Sequence, residues 1–235
     1  NQAGGKGFAP AVSFSRESGP FVEAFSVELE TADDEARIHY TLDGRLPSPT
    51  SPVYREPLRI EASMELRARA FHRDWLPGPP GSRTYTRLAP SLEAFRSSLP
   101  IMVISRTGRQ RISGARNSPV HFSVFEPKGG PAYLHARPSF AHRGGAKTRG
   151  SSTGGYPKAS WAIEWWDEFD EDEDLGVLGM PPESEWVLYA PNRFDPIMIH
   201  NPFIHQLARD IGDYSPRTRF VEVFLAECHE LDESE

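Results

Sequence analysis

Between Ala9 and Leu88 the apolar residues recur with a period of two, and no helical period runs through the stretch. A period of two puts alternate side chains on opposite faces of an extended strand. In Glu65-Leu66-Arg67-Ala68-Arg69-Ala70-Phe71 the apolar Leu66, Ala68 and Ala70 share one face and Arg67 and Arg69 the other. This predicts a half-buried strand with its arginine face outward. Phe21–Leu29, Ala36–Leu42, Leu58–Ile60 and Arg83–Leu88 are the other candidate strands. Asp43-Gly44 suits a tight turn with positive φ, and Pro47, Pro49 and Pro52 then force an extended connection. Several short strands within residues 9–88 point to a small β-sandwich.

One resemblance rests on Ile38-His39-Tyr40-Thr41-Leu42-Asp43-Gly44-Arg45-Leu46-Pro47, Ser51-Pro52-Val53-Tyr54, Pro57-Leu58, Leu66-Arg67-Ala68-Arg69-Ala70-Phe71 and Thr84-Tyr85. This series resembles the chitobiase/β-hexosaminidase C-terminal module. The resemblance implies an immunoglobulin- or fibronectin-like sandwich that accompanies extracellular enzymes and surface proteins and seldom carries chemistry itself.

A second block begins near Leu92. Leu99–Ile104 is a compact, β-branched run that reads as a buried strand, with further strands at Val120–Phe125, Lys158–Trp166, Trp186–Tyr189 and Phe220–Leu225. Pro196–Ile211 has Ile197, Ile199, Phe203, Ile204, Leu207, Ala208 and Ile211 on one helical face, with Gly212 as the stop. Mixed strands and one long helix make this block α+β. Arg143–Gly155 between two of its strands, rich in Gly, Ser and cations, reads as a loop with almost nothing to bury. Ala89-Pro90-Ser91 joins the two blocks.

Composition narrows the classes. Gly 19 and Pro 22 out of 235 residues disfavour a helical bundle, and 14 Phe, 7 Tyr and 5 Trp suffice to build cores. No run approaches the ~18 apolar residues of a membrane span. The single Cys228 excludes an intrachain disulfide framework and a multi-cysteine zinc site. The chain begins at Asn1 without initiator Met or apolar leader, and is expected to be part of a longer or processed product.

The net charge of -7 conceals an asymmetry. Residues 91–160 hold eleven Lys and Arg against Glu93 and Glu126, which is +9, whereas residues 161–182 hold eight Asp and Glu and no Lys or Arg, which is -8. The acidic run Asp167–Asp174 lacks the spacing and internal glycine of an EF-hand, so a solvated hairpin held open by like-charge repulsion is expected over a cation site. Nucleic acid is a poor partner for the basic stretch, because acids flank it and no reading motif is present.

A second resemblance covers about Leu92 to Leu225. It rests on Leu99–Ile104, Arg149-Gly150-Ser151-Ser152, Pro157-Lys158-Ala159-Ser160, Leu178-Gly179-Met180-Pro181, Glu185–Pro191, Leu207-Ala208-Arg209-Asp210 and Pro216–Leu225. These motifs are similar, in order and spacing, to the CotH family of spore-coat-type atypical protein kinases. The fold class that follows is multidomain: an immunoglobulin/fibronectin-like β-sandwich over residues 9–88, a partial α+β, kinase N-lobe-like domain over 92–225, and a disordered acidic tail over 226–235.

Glycines allow backbone N–H groups to approach an anion, hydroxyls add donors and cations supply field, so the Gly-rich basic segment suits a phosphate cradle. The resemblance places Lys158 as the strand lysine reaching the α- and β-phosphates of ATP, with Arg149, Gly150, Ser151 and Ser152 on the phosphate side and Mg²⁺ as the accompanying metal. There is no GxxxxGK[ST] run, so a P-loop NTPase is not indicated. Where the family has an Arg-Asn pair and then a helix glutamate, this chain has His200-Asn201 and Gln206, leaving the ion-pair partner of Lys158 open with Asp195 and Asp210 as remaining carboxylates. His200 and His205 are five apart rather than four, a weak metal pattern. The Cys228-His229 pair reads as part of an inert tail.

The resemblance implies the N-terminal part of a secreted or cell-surface protein kinase acting on a protein phosphoacceptor, ending before the catalytic lobe and inactive as given. The alternative is a non-enzymatic surface or spacer protein binding a cell-surface polymer, with Tyr54, Phe71 and Trp75 as candidate carbohydrate contacts, although such aromatics more often serve core or edge packing.

Overall fold

The computed structural model describes residues 7–106, 112–114, 116–150, 154–156, 158–191 and 195–226. In the first unit β1 (Val12–Phe14), β2 (Gly19–Phe21), β3 (Phe25–Val27), β4 (Leu29–Thr31), β5 (Arg37–Thr41), β6 (Leu58–Ile60), β7 (Met64–Phe71) and β8 (Gly81–Arg87) follow in order. The expected strand Phe21–Leu29 is thus broken into shorter pieces. A four-stranded sheet, β2-β8-β7-β5, lies with the two-stranded ladders β1-β4 and β3-β6 around one core. Val27, Ile60, Leu66, Ala68 and Tyr85 are its most buried members. Tyr54 and Trp75 pack against this core, and Phe71 stacks edge-on against His39, so packing accounts for all three aromatics.

The second unit contains β9 (Arg96–Ser97), β10 (Ile101–Arg106), β11 (Ser118–Phe125), β12 (Ala132–Tyr133), β13 (Phe140–Arg149), β14 (Ser160–Trp165), β15 (Glu185–Leu188), α1 (His200–Asp210) and β16 (Glu222–Ala226). Its six-stranded sheet has the order β15-β14-β13-β11-β10-β16, antiparallel except for the parallel pair β10-β16. One sheet face carries Ile104, Phe122, Val124, Ala146, Ile163 and Trp165 into a buried apolar core. Burying each large apolar side chain there is worth about 1.5–3 kcal/mol. Trp165 anchors it, with Phe122 edge-on at 4.7 Å and Phe140 at 5.2 Å. The opposite face is apolar at one end, where Ile101, Val103 and Phe125 meet Leu88, Leu92 and Leu134. Its other end is polar and faces the first unit.

That polar contact overturns two expectations. Arg67, expected on an outward face, has a fully buried side chain. The Glu65, Arg67 face of β7 is covered by the second unit: Arg143 Nε donates to Glu65 Oε1 at 2.5 Å, and Arg67 donates to the carbonyl of Glu168. Thr86 and Ser105 hydroxyls meet at 2.7 Å across the same contact. The acidic run is not simply solvated either. Asp170 lies 2.6 Å from Arg143 Nη1 and 3.5 Å from Arg67 Nη1, and Glu168 Oε1 accepts from Ser82 at 2.8 Å. The run docks because two buried guanidiniums on neighbouring sheets need carboxylates, and a buried charge is tolerable only when paired.

The segment Arg143–Gly155 is a loop only in its second half. Arg143 to Arg149 belong to β13, paired with β11 and β14, and Arg143, Gly144, Gly145 and Ala146 are buried. A Cβ on Gly144 would run into the Glu164 carbonyl of β14, and one on Gly145 into the Trp166 indole. These glycines permit close strand and ring packing. The tail expected from residue 226 starts one residue later at the earliest, since Ala226 is buried in β16; residues 227–235, including Cys228 and His229, lie outside the described residues.

Among the described residues no helix is long and apolar enough to cross a membrane. The single described α-helix, α1, buries none of its residues, and Ile199, Phe203, Ile204 and Leu207 remain exposed.

Candidate functional site

The long hairpin of β13 and β14 ends at the pair Arg149↔Ser160, and its connection carries the sequence-predicted site. Arg149 and Gly150 leave the end of β13 exposed, and Gly150 has φ 99°, a conformation costly for any residue with a Cβ. Gly154 lies close above the Gly150 carbonyl, where a Cβ would approach its oxygen to 2.7 Å. Lys158 is exposed two residues before β14 begins at Ser160, in the connection and not on the strand. Ser151 and Ser152 lie outside the described residues. Arg149 and Lys158 therefore flank the same hairpin connection, with a glycine backbone between them.

Further down the hairpin the charges are already matched. Lys147 on β13 lies 3.6 Å from Glu164 on β14, and His142 lies 3.3 Å from Glu173. The basic and acidic stretches are thus neighbours that neutralise one another over part of their length. Among the described residues Arg149 and Lys158 at the hairpin tip have no ion-pair partner, and such cations are what an anionic ligand would meet.

The helix does not supply a partner for Lys158. Gln206 Nε2 donates to Asp210 at 2.7 Å and its Oε1 accepts from Arg209 at 2.7 Å, a chain of contacts along the surface of α1. Asp195 is buried just before the helix, where Oδ2 accepts from the His200 backbone N–H at 3.2 Å and Oδ1 lies 2.9 Å from His200 Nδ1. It serves as a helix-start acceptor for otherwise unpaired N–H groups. His205 is engaged with Ser215 at 2.8 Å, so the two histidines have separate partners.

Residues 16–76 match the family model of the chitobiase/beta-hexosaminidase C-terminal domain, and residues 146–230 match that of the CotH kinase protein. The chain carries a chitobiase-type module followed by a CotH segment. The CotH match opens inside β13, takes in the hairpin connection with Arg149 and Lys158, and runs through α1 and β16. No curated protein and no solved structure matches the chain.

Sequence reasoning missed the contact between the chitobiase-type module and the sheet that carries the CotH segment. Glu65, Arg67 and Arg143 lie far apart in the chain, and no local pattern marks them as partners. The only hint was a charged face on an otherwise core-forming strand.

Proposed function

We propose that the CotH segment is the nucleotide-facing part of a secreted or cell-surface protein kinase, with ATP as the phosphate donor and a protein as acceptor. The observation that carries this reading is the family match over 146–230, which opens on a hairpin whose connection is flanked by exposed Arg149 and Lys158. In it, Lys158 and Arg149 provide positive field for the phosphates, Gly150 offers backbone without a Cβ to obstruct approach, and Ser151 and Ser152 add hydroxyl donors. These groups fit a triphosphate. Mg²⁺, when bound, would neutralise charge between phosphates. Among the described residues no group of three or more His, Cys, Asp or Glu is placed to hold it unaided, so the phosphates would supply part of its coordination.

A non-enzymatic binding protein is the competing reading. It is favoured by Gln206, which stands where a glutamate is expected and is turned to Asp210. Nucleotide affinity separates the two. ATP titrated into the isotope-labelled chain should shift the amides of Arg149 and Gly150, less so as salt is raised. Lys158→Ala should weaken that binding by about tenfold or more while Lys128→Ala leaves it within about twofold. Equal responses of the two variants would remove Lys158 from the site.

A further inference from the structure

Lys147 stands on β13 two residues before Arg149, and side chains two apart on a strand share a face. A strand rises about 3.3 Å per residue, so the Cα atoms of these two cations are about 7 Å apart. The register Lys147↔Ala162 and Arg149↔Ser160 sets small residues opposite both of them on that face. On the side away from the tip the Trp166 indole lies over Gly145, where a Cβ would come within 2.3 Å of the ring. Lys147 therefore lies between an aromatic ring and the exposed end of the hairpin.

Its ammonium is 3.6 Å from Glu164 Oε1, with side chains 37% and 15% exposed. Glu164 has a second partner, since Trp166 Nε1 donates to its Oε2 at 3.3 Å. The two members of the pair are not equally bound by it. A partly exposed ion pair contributes little, and lysine carries its charge on a flexible four-carbon stem, so the ammonium can turn to another anion at small cost. Glu164, the less exposed of the two, would keep the indole N–H as a hydrogen-bond donor after the lysine left. Phosphates held at Arg149 and Lys158 would bring several negative charges to the same face, against the single charge of Glu164.

We propose that Lys147 is a further phosphate-contacting residue of the hairpin site, held by Glu164 in the free chain and exchanged to the ligand when a nucleotide binds. Glu164 is then a positioning residue that orders the lysine and competes with phosphate for it. The proposal rests on the nucleotide reading of the hairpin.

The test titrates ATP into the labelled full chain. The Lys147 side-chain resonances should shift together with the Arg149 and Gly150 amides. Lys147→Met, which keeps the apolar stem, should weaken ATP binding by about tenfold. The near-isosteric Glu164→Gln should leave binding unchanged or tighten it by up to about threefold. A pair that only held the hairpin together would weaken binding when either member is replaced, so loss of affinity in both variants overturns the proposal. It is also overturned if Lys147→Met binds within about twofold of the unaltered chain while Lys158→Ala binds more weakly, a result that leaves the nucleotide reading standing. If the unaltered chain does not bind ATP, the nucleotide reading and the role of Lys147 fall together.

Discussion

Arg143 of β13 donates from Nε to Glu65 of β7 at 2.5 Å, joining the sheet that carries the CotH segment to the sandwich through a pair of side chains 5% and 1% exposed. Burial pushes the Glu65 carboxyl up from its ordinary range, and the Arg143 guanidinium works against that. Arg143 also holds Asp170 and the Asp167 carbonyl, so a single side chain links the sandwich strand, the sheet and the acidic run.

Removing one member of such a buried pair leaves the other charged and unpaired. Arg143→Met should lower unfolding stability by about 3–5 kcal/mol, read from urea denaturation. Exposed Arg45, paired with Asp43 on the surface, should leave it nearly unchanged when replaced by Met. A similar loss for both variants would show that the contact between the units contributes nothing special.

His121 sets a dependence on acid. Because burial first, and the neighbouring His142 and Arg143 second, depress its folded pKa to about 3 from an ordinary 6.5, only the unfolded chain takes up this proton between those values. Its contribution to stability is therefore complete above 6.5 and shrinks as pH falls toward 3, by about 1.4 kcal/mol per pH unit. Urea midpoints at neutral pH and near pH 5 should converge more closely in His121→Gln than in the unaltered chain. Identical slopes would remove His121 as the source.

The hairpin glycines give a packing test. Gly144→Ala would force a Cβ against the Glu164 carbonyl and part β13 from β14, costing about 1–3 kcal/mol or more. At Gly155 an added Cβ meets nothing within 4 Å, so Gly155→Ala should stay within about 0.5 kcal/mol. Thermal melts of the two variants distinguish a packing role from a merely flexible loop.

Under the kinase reading the chain as given should bind ATP without turning it over, since phosphoryl transfer needs carboxylates to hold the metal and position the acceptor. Gln206 is tied to Arg209 and Asp210 on its own helix, and Asp195 is occupied by His200. Incubation with γ-labelled ATP, Mg²⁺ or Mn²⁺ and acceptor peptides should give no label above Lys158→Ala. Label that depends on Lys158 would direct attention to Asp195 and Asp210.

Local pattern was enough for much of the architecture. The alternation of Leu66, Ala68 and Ala70 made β7 a core strand, the β-branched run around Val103 marked β10, and the apolar spacing from Phe203 to Ile211 marked α1. Both family matches were legible from short runs such as Tyr40–Gly44 and Pro157–Ser160. Pattern could not tell which covered faces are polar. Arg67 and Arg143 look like solvent residues because a period of two separates apolar from polar but does not say what lies above each face. Only the packing of two sheets, bringing Glu65 and Asp170 to these guanidiniums from distant parts of the chain, supplied the partners that permit their burial. The Gly-rich run from Arg143 was likewise ambiguous, since glycine serves a mobile loop and a tight strand contact equally well. The closeness of Trp166 and the Glu164 carbonyl, a tertiary fact, made Gly144 and Gly145 strand residues and confined the exposed tip to Arg149 and beyond.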